Sequence, residues 1–366
     1  MRGLVSSLVI RRVRLRSLLC TSVSALALAT ASAEAADLGF KAPVPAPAEA
    51  MTVWVEGGAF WTARDPVYFA APSAFNGVLA SFPSTAPIGT GTGLSAQVGW
   101  EAAVGVDFGF GATPWHLSFD MRYGAASAPG QALSASSGPS ASTTTSFANE
   151  SLGERENHAV ADLMFGREIG GPANMFRLGI RAVELGADIN ESASLSTCGP
   201  SGCTPATSSA LLSADERSSF IGVGPRVSLE GHIPLANSAW AIEYLGGAAA
   251  LIGERQLQMD GSVACTSTAS GSAAACVSAG TSTGTFFGVT SLANGLFSTQ
   301  ISEFATVLNA DFSLALGYSF TRTSHLSVGF RFDGYWNAIK TFNSAGALTN
   351  QDRLYYGPFV RLGTSF

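Results

Sequence analysis

From Thr52 onward the chain alternates apolar and polar residues with period two, the signature of a strand whose two faces meet different surroundings. The clearest run is Val98, Trp100, Ala102, Val104, Val106, Phe108 and Phe110, with Gly99, Glu101, Gly105 and Asp107 between them. Trp115 to Tyr123 alternates in the same way, as do Ile221 to Leu229, Leu308 to Phe320, Leu326 to Phe332 and Leu354 to Phe366. Weaker alternation marks Thr52–Trp61, Arg155–Arg167, Met175–Ile189 and Trp240–Leu251. Together these runs predict about ten strands, each longer than the five or six residues common in soluble sheets. Strands that cross a bilayer need about 9–11 residues.

The connections sort by parity. Long ones follow the odd strands, at about 64–94, 127–154, 191–216, 257–300 and 339–352. Short ones follow the even strands, at 111–114, 168–174, 233–238 and 321–324. Bacterial transmembrane barrels have long outer loops and short periplasmic turns, whereas a soluble sandwich has no reason to sort its loops this way. The predicted fold class is therefore all-β: a transmembrane, antiparallel, up-and-down barrel of ten strands over 52–366, with eight or twelve as the alternatives. Aromatic residues gather near predicted strand ends, as girdles do at lipid interfaces. Trp54, Phe110, Trp115, Phe165, Phe176, Trp240, Phe320 and Phe366 are expected at the periplasmic rim, and Phe60, Trp61, Tyr123, Phe220 and Trp336 at the outer rim.

Composition agrees. The 366 residues are 46% hydrophobic and 13% charged, about half the charge of an ordinary soluble domain. So apolar a chain is not disordered. The balance of 20 basic against 26 acidic residues, with no basic stripe, disfavours nucleic acid as a partner. After the N-terminus no stretch reaches the roughly 20 apolar residues of a spanning helix. The first 35 residues have a basic start (Arg2, Arg11, Arg12, Arg14, Arg16), an apolar Leu18–Ala29 and small residues to Ala35, which predicts a cleaved signal peptide. Its five arginines and one glutamate, once removed, take the formal net charge from −6 to −10. Residues 36–51 hold Pro43, Pro45 and Pro47 among small residues and read as an extended linker.

Cys198, Cys203, Cys265 and Cys276 fall two to a loop. In an exported protein an even count predicts disulfides, either local (198–203, 265–276) or cross-paired between the loops. Their spacings do not suit zinc, and the sequence asks for no metal or cofactor.

The candidate chemistry lies on the polar strand faces, which would point into the lumen. These lumen or constriction candidates are Glu101, Asp107, Asp120, Arg122, Asp162, Arg226, Glu230, Glu243, Asp311, Arg331 and Asp333. Rows of charge along a water-filled lumen set ion selectivity. A barrel of eight strands is filled by its own side chains, however, and ten lies near that limit, so a plugged lumen is the competing expectation. The acidic chain as a whole suggests a cation preference. A hydrolase is the least favoured reading: it would rest on His325, Ser327 and Asp333, without any nucleophile elbow. The long loops leave room for a recognition or scaffold role.

Several stretches carry a family likeness. TVWVEGGAFWT (52–62), GWEAAVGVDFGFGATPWHLSFDMRYG (99–124), FIGVGPRVSLEG (220–231), LSVGFRFDGYWNA (326–338) and DRLYYGPFVRLGTSF (352–366) resemble, in that order, the pore-forming major outer-membrane proteins of the Legionella type. The opening ADLGFKAPVPAP is similar to that of alphaproteobacterial outer-membrane proteins. The resemblance implies a pore-forming barrel in the outer membrane of a Gram-negative bacterium and no catalytic motif. It also implies contact with outer-membrane lipid, and with the barrel assembly machinery through the terminal Phe366. A homo-oligomer is an open expectation. The leading function expected is a porin-like channel for small hydrophilic solutes or ions, and the alternative is a non-conducting structural or recognition barrel.

Overall fold

The computed structural model describes residues 51–63, 97–111, 113–137, 145–169, 174–198, 208–235, 238–267, 295–342 and 348–366. The expected signal peptide and nearly all of the linker fall outside these residues, as do the side chains of the four cysteines. Ten strands form: β1 (Met51–Ala63), β2 (Gln97–Gly109), β3 (Trp115–Ser137), β4 (Thr145–Glu168), β5 (Asn174–Cys198), β6 (Ser208–Pro234), β7 (Trp240–Ser267), β8 (Gly295–Ser319), β9 (Ser324–Phe342) and β10 (Leu348–Ser365). Each pairs antiparallel with its sequence neighbours, and β1 pairs with β10 to close the barrel. Closure removes the exposed edges that an open sheet would leave in lipid. At the seam the Phe366 amide donates to the Met51 carbonyl at 2.8 Å.

The four short connections fall where the sequence puts them. The β2–β3 turn is held by the Phe110 amide donating to the Trp115 carbonyl at 3.0 Å, and Gly111 takes φ 62° there, a left-handed conformation open to glycine. Both described termini lie at this short-turn end, the periplasmic end by the loop rule.

The long connections differ from expectation. Most of 127–154 and 191–216, and both ends of 257–300, are strand, because β3 to β8 run 23 to 28 residues. At about 3.3 Å per residue such strands are on the order of 80–90 Å long and extend well past the lipid. Their Ser, Thr and Gly residues take strand positions because each backbone amide finds a partner on the next strand, as in the unbroken register of β5 and β6 from Asn174–Gly231 to Thr197–Ser208.

Outward faces are apolar over the membrane band: Val98, Trp100, Phe119, Leu178, Val223, Leu314 and Val360 are all exposed. Phe110, Trp115, Phe165, Phe176, Trp240, Phe320 and Phe366 are exposed at the periplasmic end and Trp336 at the outer end, as expected of girdles. Three expected girdle residues point inward instead. Trp54 sits against Gly105, where a Cβ would collide with its ring, and Arg361 stacks over that ring at 4.4 Å. Phe60 and Phe220 are buried among the inner side chains. In each case even numbering in β1 or β6 selects the lumen face, and residue type alone misses that.

The inner face is not uniformly polar. Towards the outer end it is a packed apolar cluster that includes Phe60, Val160, Leu185, Phe220, Leu251, Val307, Ala338, Ile339 and Tyr355. Phe220, Leu251, Val307 and Ala338 are each 0% exposed. These side chains come from opposite walls, so the lumen is filled at this level.

The outer end of β9 parts from β8. The β8–β9 ladder stops at Leu308–Trp336, although β8 continues outward along β7, and the β1–β10 ladder is described up to Ala63–Leu354. Beyond those points β9 and β10 pair with each other, from Ile339–Gln351 to Phe342–Leu348. Residues 336–338 bulge opposite Asp352, with Asn337 at φ 64°. The bulge bends the hairpin over the lumen, where Ala338, Ile339, Thr341, Gln351 and Arg353 are buried.

Candidate functional site

Inside the barrel the eleven candidate residues all face the lumen, but most are bound to one another. At mid-height Arg181 of β5, 0% exposed, grips Asp162 of β4 with two bonds, Nε–Oδ1 at 2.7 Å and Nη2–Oδ2 at 2.6 Å. Its third nitrogen crosses the lumen to Asn309 at 2.5 Å and Asp311 at 3.0 Å, both on β8. Arg226 of β6 holds Asp311 through both terminal guanidinium nitrogens. Asn309 donates to Asp333 at 2.7 Å, and Asp333 also accepts from Arg122 at 2.8 Å and from the Tyr335 hydroxyl at 3.0 Å.

A second group adjoins it. Arg331 bridges Glu56 (2.5 Å) and Glu101 (2.8 Å); Arg361 also holds Glu56, and His158 meets Glu101 at 2.8 Å. Nearer the periplasmic mouth, Arg177 joins Asp107 at 2.6 Å and Glu230 at 2.5 Å, and His116 contacts Asp107 at 2.6 Å. Paired this way, buried charges are tolerated that would be prohibitive alone.

Below this lattice lies a cavity of about 550 Å³. Asp107, Asp120, Arg122, Asp162, Arg226, Glu230, Glu243, Asp311 and Arg331 line it, while Glu101 and Asp333 sit deeper. The turn residues Thr321, Arg322 and Thr323 form part of its wall, so it is a vestibule at the periplasmic end. Its lining holds seven arginines against six carboxylates and so supplies none of the cation preference expected from the whole chain. The constriction expected of the candidate residues is thus a closed lattice rather than an open charged ring: their charges satisfy one another across the lumen.

The sequence reading missed Glu56, His158, Arg177, Arg181, Asn309 and Arg361. Parity carries the missing signal. Arg177 and Arg181 occupy odd positions opposite the lipid-facing Phe176, Leu178 and Ile180, and so share the lumen face. As for the hydrolase reading, the Ser327 hydroxyl donates to Glu243 at 2.8 Å and Asp333 is held by Arg122 and Asn309.

A family model described as the Legionella pneumophila major outer membrane protein precursor matches residues 94–366, about three quarters of the chain. The chain belongs to this family. Its place is therefore the bacterial outer membrane, and every strand of the barrel except β1 falls within the matched region. Curated proteins supply no match. Among solved structures, this family member is similar to the outer membrane protease OmpT of Escherichia coli, at 8% identity and TM-score 0.37, covering 87% of this chain and 97% of that one. An outer-membrane channel from Pseudomonas putida F1 is similar at 9% identity and TM-score 0.30, with 89% and 100% covered. Neisserial surface protein A is similar at 8% identity and TM-score 0.24, with 86% and 97% covered.

Proposed function

We propose that this family member is an outer-membrane channel for small hydrophilic solutes or ions, and that the conformation described is its closed state. One contrast carries the reading. The periplasmic half of the lumen is a charged vestibule of about 550 Å³, and the outer half is sealed in part by a hairpin that has parted from β8. A vestibule lined by both charge signs suits hydrated polar solutes, and charged rings in pores act by this means. The role is non-enzymatic, supported by Ser327 and Asp333 being engaged in hydrogen bonds that organise the lumen.

Planar-bilayer recording tests the reading. The expected record is long closed intervals broken by infrequent resolvable steps. A continuously open pore at all voltages contradicts it. The second reading, a permanently plugged scaffold or recognition barrel, draws on the complete burial of Arg181 within its lattice and predicts silence under every condition.

A further inference from the structure

We propose that the hairpin formed by the outer ends of β9 and β10 is the gate of this lumen, hinged at Asn337 and latched by an ion cluster of Arg255, Glu303 and Lys340. The inference rests on the channel reading above and goes further by naming the moving part.

Three independent observations support it. First, the hairpin is detached from β8 among the described residues: β9 no longer pairs with β8 above Trp336, although β8 itself continues outward along β7. A segment without ladder bonds to its neighbouring strand costs less to move than a strand end paired on both sides. Second, the hinge is built in. Asn337 takes a left-handed φ of 64°, a conformation asparagine tolerates, within a bulge that already breaks the register. Its amide donates to the Asp352 carboxylate at 2.8 Å, which ties the two strands of the hairpin into one unit.

Third, the hairpin is held by polar contacts, a buried Arg353–Glu156 pair at 3.3 Å at its base and a peripheral cluster further out. Lys340 Nζ donates to Glu303 of β8 at 2.6 Å, and Arg255 of β7 binds the same carboxylate. Arg255 also donates to the Asn337 carbonyl at 2.9 Å, and the Lys340 amide reaches Ser218 of β6 at 3.2 Å. Glu303 lies beyond the apolar band. Hydrogen bonds from Lys340 and Arg255 hold its carboxyl below the usual range, so the latch is charged at neutral pH. Beneath it Ala338 and Ile339 complete the apolar seal, at 0% and 2% exposure. Lifting the hairpin withdraws those two side chains from the lumen and leaves the wall ladders intact.

The test compares wild type, the charge-removing latch variant E303Q/K340Q and a seat variant, I339D, in planar bilayers. Heat-modifiable gel migration confirms that each barrel is folded. Weakening a two-state latch shifts its populations by the lost differential energy, so open probability in E303Q/K340Q should rise about tenfold over wild type, and I339D should rise further. Unchanged open probability in both folded variants overturns the gate and leaves the closed-channel reading standing. A wild-type pore that is already continuously open overturns the channel's closed state itself. Should wild type and both variants stay silent, the gate is overturned and the permanent plug is favoured.

Discussion

Replacing Arg181 by methionine is expected to cost about 3–5 kcal/mol of stability, because Asp162 loses its bidentate partner while staying buried. The measurement is the urea dependence of the heat-modifiable folded band. R181M should unfold at much lower urea than wild type, and R181M/D162N should recover most of the loss. The recovery is expected because Arg226 still neutralises Asp311 and Arg122 still neutralises Asp333 in that double variant. Equal destabilisation in the single and double variants would mean that Arg181 acts by packing alone.

Neighbouring residues on opposite faces of β6 supply the second large effect. Phe220→Ala opens a void within the outer apolar cluster and should cost about 3–5 kcal/mol, as large-to-small changes in packed interiors do. Ile221→Ala changes only an outward-facing side chain, 54% exposed, and should cost much less. Phe220→Ala should also raise the leak of small ions through reconstituted barrels, and Ile221→Ala should not. If the two variants are equally stable and equally tight, the packed seal is misplaced.

Much of the fold was legible from period two alone: strand number, antiparallel order, the four short turns and the lipid face of each membrane segment. The apolar seal was not, and the physical reason is a change of phase. In β5 the apolar residues are even from Phe176 to Ala182 and face lipid, then odd from Val183 to Ile189 and face the lumen. In β7, Leu257 and Met259 likewise lie on the inner side above the lipid. Where a strand leaves the membrane its outer face meets water, as at Glu184, Asp188 and Glu254, so the apolar burden moves inward. Read as one continuous run, such a strand shows only weak alternation, which is why 175–189 looks blurred in sequence. The phase flip marks the outer edge of the membrane band.

The candidate site was half legible. Charges on the lumen face were found wherever alternation was clean, as at Asp107, Asp311 and Arg331. Arg177 and Arg181 were hidden in a blurred strand. Their pairing was out of reach in principle, because Arg181 meets Asp311 across 130 residues of sequence, and only barrel closure brings β5 and β8 to face each other.

The central claim is that the lumen is divided into a wet periplasmic vestibule and a dry outer seal. Cysteine accessibility addresses it most directly. Single cysteines at Ser118, on the vestibule wall, and at Val307, within the seal, would be reacted with a charged, membrane-impermeant maleimide from the periplasmic side of reconstituted barrels, with wild type as the background. Fast labelling at position 118 and protection at 307 is the predicted result. Equal labelling at both positions would show a continuous water path and contradict the account.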